Sequence, residues 1–152
     1  MQADEQPDDN FLESCLFFNT NVLSRYLLKL AEKEFNYLNI SPAHASLLLL
    51  VFDSPGISPK QLSKRLHLTP STITRFIDSL EKKEFVIRRT KGKSAFISPG
   101  KKGVKYKKSI ALAYKKLYLK YTEVLGSDTA NQLSFSILTT NKKLADYLDN
   151  NE

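Results

Sequence analysis

The chain has 152 residues, 41% of them hydrophobic, and carries 23 Lys and Arg against 16 Asp and Glu for a formal charge of +7. That length allows one compact domain with flanking helices, and the longest apolar run, Leu47 to Phe52, is far too short to cross a bilayer, so no membrane partner is expected and the cytoplasm is the expected compartment. One cysteine excludes an internal disulfide framework, and the absence of a glycine-rich phosphate loop, a nucleophile motif and a metal-ligand cluster argues against an enzyme.

Residues 1–10 are acidic and unpatterned and are expected to be disordered, and Asp149 to Glu152 are expected to fray. From Phe11 to Phe35, Leu12, Leu16, Leu23, Leu27 and Leu30 recur near the helical period, which predicts one long amphipathic helix. Prolines then mark the boundaries. Ser41-Pro42, Ser58-Pro59, Thr69-Pro70 and Ser98-Pro99 each pair a hydroxyl with a proline, the pattern of an N-cap followed by the first helical position. Asp53-Ser54-Pro55-Gly56 reads instead as a turn that ends the apolar helix begun at Pro42.

The helix from Thr69-Pro70 carries Ile73, Phe76, Ile77 and Leu80 at i, i+3, i+4 and i+7, so these face inward. Its outward arc holds Ser71, Arg75, Asp78 and Lys82, with Thr72 and Thr74 on the flanks. Phe85 to Thr90, a turn at Lys91-Gly92, and Lys93 to Ser98 form a β-hairpin signature: β-branched and aromatic residues flank a glycine able to take positive φ. The ribbon is basic, with Arg88, Arg89, Lys91 and Lys93, and phosphate or minor-groove contact is the expected use. Two further helices follow. The first runs from Pro99 to about Leu125, with Val104, Ile110, Ala113, Leu117, Tyr121 and Val124 on one side and Gly126 as the stop. The second runs from Ser127 to Leu148 with Leu133, Ile137, Leu144 and Leu148.

Two short helices followed by a basic strand is the order of a winged helix-turn-helix. Charge favours a nucleic-acid surface over a merely solvated one. Gly56 to Lys108 holds fifteen Lys and Arg against three acids, a net of +12, whereas the remainder holds eight against thirteen, a net of −5. The chemistry fits double-stranded DNA: arginine bonds guanine O6 and N7 together, and small hydroxyls bond base edges or phosphates. The expected fold is mainly α with a small β-hairpin wing. A winged helix-turn-helix lobe spans 41–98, and long helices over 11–40 and 99–149 form a dimerisation region.

This order, with Ser-Pro-Lys-Gln-Leu-Ser-Lys-Arg-Leu, then Thr-Pro-Ser-Thr-Ile-Thr-Arg-Phe-Ile-Asp-Ser-Leu-Glu-Lys-Lys, then the Arg-Arg wing and Lys-Lys-Gly, resembles the MarR family of bacterial transcriptional regulators over nearly the whole chain. The resemblance implies a homodimer, more often a repressor, in which the first helix and the last two interlock. By position, it implies that Ser71, Thr72, Thr74 and Arg75 face bases, with Thr69 opening their helix, that Ser58, Lys60 and Lys64 lie near the backbone, and that Arg88 to Lys93 form the wing. Three departures stand out. Glutamate occupies position 84 where the family usually has glycine, which would strain a left-handed backbone by roughly 1 kcal/mol. The hairpin is shorter than usual and lacks the acid that commonly braces the wing. Gly100-Lys101-Lys102-Gly103 replaces the usual Thr-Glu-Lys-Gly.

Physics also points to a homodimer, since three long amphipathic helices have apolar faces that a small lobe cannot cover. Two-fold symmetry then predicts a pseudo-palindromic operator with half-sites roughly 34–36 Å apart. A non-specific architectural or protein-interaction module is the alternative, told apart by the ratio of specific to non-specific affinity. No cofactor and no metal are expected: His44 and His67 lack partners at ligand spacing and read as surface or capping residues. The family's effectors imply a small aromatic ligand, for which Tyr26, Tyr37 and His44 are crevice candidates, although aromatic residues at this spacing also fit a core. Cys15 reads as a small buried hydrophobe, with redox sensing as the competing idea.

Overall fold

A computed structural model describes residues 10–151, so the disorder expected for 1–10 falls almost wholly outside the described residues. The elements are α1 (Phe11–Ser14), α2 (Leu16–Phe35), a 3-10 turn (Asn36–Leu38), α3 (Pro42–Asp53), α4 (Pro59–Leu66), α5 (Pro70–Lys82), β1 (Val86–Lys91), β2 (Ser94–Pro99), α6 (Lys101–Leu125) and α7 (Ser127–Asp149). This is the helical, winged architecture expected. The chain divides into two compact units, one up to Tyr114 and one from Lys115.

Three of the four hydroxyl-proline pairs begin helices as expected. Ser41 accepts from the His44 amide, Ser58 forms a reciprocal capping box with Gln61, and Thr69 accepts from the Thr72 amide. The fourth does not. Ser98 and Pro99 lie in β2, where Pro99 pairs with Val86, and α6 begins only at Lys101. The reason is tertiary: the Gly100 amide donates to Phe85 O at 2.8 Å, continuing the pairing one residue past the proline. Strand pairing therefore overrides a local helix-start signal.

The long first helix is also interrupted. Cys15 takes an extended backbone, φ −77° and ψ 113°, between α1 and α2. Side chains here compete for carbonyls that a continuous helix would use: Ser14 Oγ donates to Phe11 O at 3.1 Å and Asn19 Nδ2 to Glu13 O at 2.8 Å. Cys15 is half-buried at this break. At the other end, Asp149 is still helical rather than frayed.

The core of the first unit lies where the lobe's elements converge. Leu47, Leu48, Val51, Leu62, Ile73, Leu80 and Ile97 are fully buried, and Ile110 and Ala113 of α6 join them. Phe35 stands edge-on to Tyr114 with centroids 4.9 Å apart, and Tyr114 Oη shares a 2.6 Å hydrogen bond with Ser46 Oγ. Burial raises the Tyr114 phenol above its ordinary range although that bond opposes the shift. Val104, placed by its spacing on the same side of the helix as the buried Ile110 and Ala113, is 65% exposed. No single helix among the described residues is long and apolar enough to cross a membrane.

Candidate nucleic-acid interface

The outward face of α5 is built by its inward one. Ile73, Ile77 and Leu80 are buried and Phe76 is half-buried, so Ser71, Thr74, Arg75 and Asp78 are turned to solvent and Thr72 sits at the margin. At the start of the helix, hydroxyls form a connected group. Thr69 Oγ1 lies 3.2 Å from Ser71 Oγ and 2.9 Å from Thr72 Oγ1, and Arg75 Nη2 reaches Thr72 Oγ1 at 3.4 Å. Thr74 Oγ1 bonds back to Pro70 O at 3.0 Å. The first turn thus presents a set of rotatable hydroxyls beside one guanidinium, groups that donate and accept as base edges require.

α4 lies against α5, and Lys60 and Lys64 are exposed on it. Ser58 is committed to its capping box. His67 takes the left-handed conformation that ends α4, φ 53°, which bears out a capping role.

The exit of α5 is a Schellman turn. The Glu84 amide donates to Glu81 O at 2.9 Å and the Phe85 amide to Leu80 O at 2.8 Å, while Phe85 and Leu80 are both buried. Glu84 is left-handed, φ 62°, so the strain expected for a residue other than glycine is present. Gly100 and Gly103 supply a contact that the sequence reading passed over. A Cβ at Gly103 would stand 2.1 Å from Phe85 O, and one at Gly100 2.4 Å from Glu84 O. Only glycine lets the start of α6 sit on this turn. The Lys102 amide donates to Glu84 O at 3.0 Å, and its ammonium lies 5.1 Å from the Phe85 ring centroid.

The wing closes through Gly92-Lys93, one residue later than expected, with Lys91 paired to Ser94. Gly92, φ 61°, takes the first central position, as the tight turn requires. An isolated bridge between Ile57 and Ile97 ties the ribbon to the segment before α4. Arg89, Lys91 and Lys93 are exposed. Arg88 does not stand free on the ribbon as expected: its Nε lies 3.0 Å from Glu81 Oε2, and its Nη2 contacts Asp78 Oδ1. The Asp78 hydrogen bond, aided by the Glu81 charge, holds this guanidinium above its ordinary pKa. The acid missing from the hairpin is thus supplied by α5, a pairing that sequence distance hides.

The crevice candidates do not converge. A cleft of about 420 Å³ is lined by Glu32, Phe35, Asn39, Ser41, His44 and Lys83 among others, but not by Tyr26 or Tyr37. His44 is packed edge-on against Phe76 with centroids 4.6 Å apart, and burial followed by the nearby Lys83 charge lowers its pKa. Tyr37 Oη donates to Ser109 O at 3.3 Å.

Residues 40–94 match the family model described as the MarR family. Over 76 residues the chain is 33% identical to the HTH-type transcriptional repressor YetL of Bacillus subtilis (strain 168), a match covering 49% of this chain and 46% of that protein. The chain thus spans about half the length of the curated relative it matches. Its fold is similar to a mutant MarR from E. coli complexed with operator DNA, with a TM-score of 0.77 and 20% identity over 88% of this chain and 99% of the other. It is also similar to CouR from Rhodococcus jostii bound to p-coumaroyl-CoA, with a TM-score of 0.74 and 18% identity over 85% and 93% of the two chains.

Proposed function

We propose, on the premise that this chain belongs to the MarR family by its residues 40–94, that it is a dimeric, sequence-specific DNA-binding repressor acting in the cytoplasm. Two copies read a pseudo-palindromic operator. Each inserts α5 into a major groove with Ser71, Thr72, Thr74 and Arg75 toward the bases and Thr69 at the helix start. Lys60 and Lys64, with the neighbouring Ser58, approach the backbone. Arg89, Lys91 and Lys93 of the wing meet phosphate or the adjacent minor groove.

The observation that carries this reading is the first turn of α5, an exposed hydroxyl-and-arginine surface held rigid by a buried opposite face. The charge of Gly56 to Lys108 supports it. Residues 11–40 and 99–149 supply the dimer contacts, which accounts for large apolar side chains left uncovered there, Phe17 at 79% and Phe135 at 70% exposure. A small aromatic ligand releases the operator, a proposal supported by the fold's likeness to CouR bound to p-coumaroyl-CoA.

Selection of binding sequences from random duplexes, with the solution mass measured first, tests the whole reading. A dimer and a palindromic consensus with half-sites roughly 34–36 Å apart are expected. A monomer that binds every duplex equally overturns it.

A further inference from the structure

Resting on the reading just given, we propose that Arg88 is a positioning residue of the interface and not one of its DNA contacts. It clasps Asp78 and Glu81 on α5 and acts through them, its one positive charge offsetting part of the negative charge of two carboxylates that otherwise face phosphate.

Asp78 and Glu81 are three residues apart and therefore neighbours on one helix face, one turn beyond Arg75. Toward its C-terminal half the outward surface of α5 thus gains two acids beside Lys82. Left alone, two carboxylates there would oppose a polyanion. Arg88 reaches both at once, Nε to Glu81 and Nη2 to Asp78, and its side chain is only 29% exposed against 57% for Asp78 and 46% for Glu81. A planar guanidinium spans two acceptors with separate N–H groups, whereas an ammonium is a single point charge.

Strand alternation separates Arg88 from its basic neighbours. It shares a face of β1 with buried Val86, while Arg89 and Lys91 share the other with Ile87, which is 44% exposed. The hairpin itself has no acid, so this clasp is the charged tie between the ribbon and α5 among the described residues. It gives Asp78 and Arg88 roles different from those of Arg75 and Lys91.

The test is a cycle of operator titrations with full-length wild type, Arg88→Gln, the pair Asp78→Asn with Glu81→Gln, and all three changes together, each checked by thermal melting. Arg88→Gln lowers affinity roughly tenfold because it uncovers both carboxylates. Removing those carboxylates as well returns the triple variant to within about threefold of wild type. The slope of log affinity against log salt in the triple variant stays close to that of wild type, because no phosphate contact has been lost. Were Arg88 itself a phosphate contact, the losses would add, the triple variant would stay about as weak as Arg88→Gln, and the slope would fall by about 0.9; that result overturns the proposal. Arg88→Lys carries the same cycle should Arg88→Gln fail to fold, with a smaller loss and the same rescue. A wild type that selects an operator but gives an additive cycle sinks the clasp alone. A wild type without sequence preference sinks the preceding reading, and this one with it.

Discussion

The winged lobe and the flanking helices are both amphipathic in sequence, yet only the lobe is finished within one chain. Leu47, Leu62, Ile73, Leu80 and Ile97 come from four different elements and are fully buried together. By contrast α7 buries Ala130 alone along its 23 residues and leaves Phe135 70%, Leu138 53% and Tyr147 65% exposed. The start of α2 is similar, with Leu16 at 65% and Phe17 at 79%. A hydrophobic stripe states that a face must be covered, and its periodicity is silent about which surface covers it. For the lobe the cover is the chain itself; for the flanking helices it is a second copy in the proposed dimer.

Phe135→Asp tests that contrast most severely. An exposed substitution in a monomer stays within about 0.5 kcal/mol, but at a dimer contact it separates the chains and lowers operator affinity by roughly a hundredfold. Sedimentation and titration measure both effects, and an unchanged mass with unchanged affinity breaks the comparison. Within the lobe, Gly103→Ala is expected to destabilise by about 1–3 kcal/mol in denaturant melts, because the added Cβ meets Phe85 O at 2.1 Å. The sign is informative, since glycine to alanine in an open helix stabilises by up to about 1 kcal/mol. Arg75→Ala is expected to cost about 1–3 kcal/mol of operator binding and to relax preference at one base pair per half-site; a titration over randomised operators that leaves base preference untouched refutes the assignment.

Glu84→Gly should raise stability by about 1 kcal/mol, because φ 62° is free for glycine and strained for glutamate. No change in melting would mean that Glu84 is relieved by contacts of its own. The smallest effect is expected at His44. Its pKa is lowered in the folded chain, so the unfolded chain binds the proton more readily. Stability is therefore complete above the ordinary value of 6.5 and declines as pH falls below it toward the folded value. Melting temperatures of wild type and His44→Asn, compared across that window, should converge as the pH drops.

Much of the lobe was legible because its signals are local. Ser41, Ser58 and Thr69 cap helices through bonds to amides three residues on, and the inward face of α5 follows from spacing alone. The hydroxyls and Arg75 of the candidate interface were placed outward by the same logic. What was misread depends on partners distant in the chain or on competition between neighbours. Ser98-Pro99 carries a good helix-start signal that pairing with β1 overrules, and Cys15 breaks a helix whose leucine period is intact. The contact of Gly103 with Phe85 and the clasp of Arg88 join residues from different elements, so no periodicity announces them.

The sequence by itself determined where the helices of the lobe begin, which face of α5 is apolar, and that a hydroxyl-and-arginine turn heads a basic lobe. Caps, prolines and helical spacing act through hydrogen bonds and sterics within a few residues, so they can be read along the chain. Only the tertiary structure decided that α6 starts on the Glu84–Phe85 turn and that the wing is tied to α5 through Arg88. Both depend on close approach between backbone and side-chain groups, and distances of that kind exist only once the elements have packed.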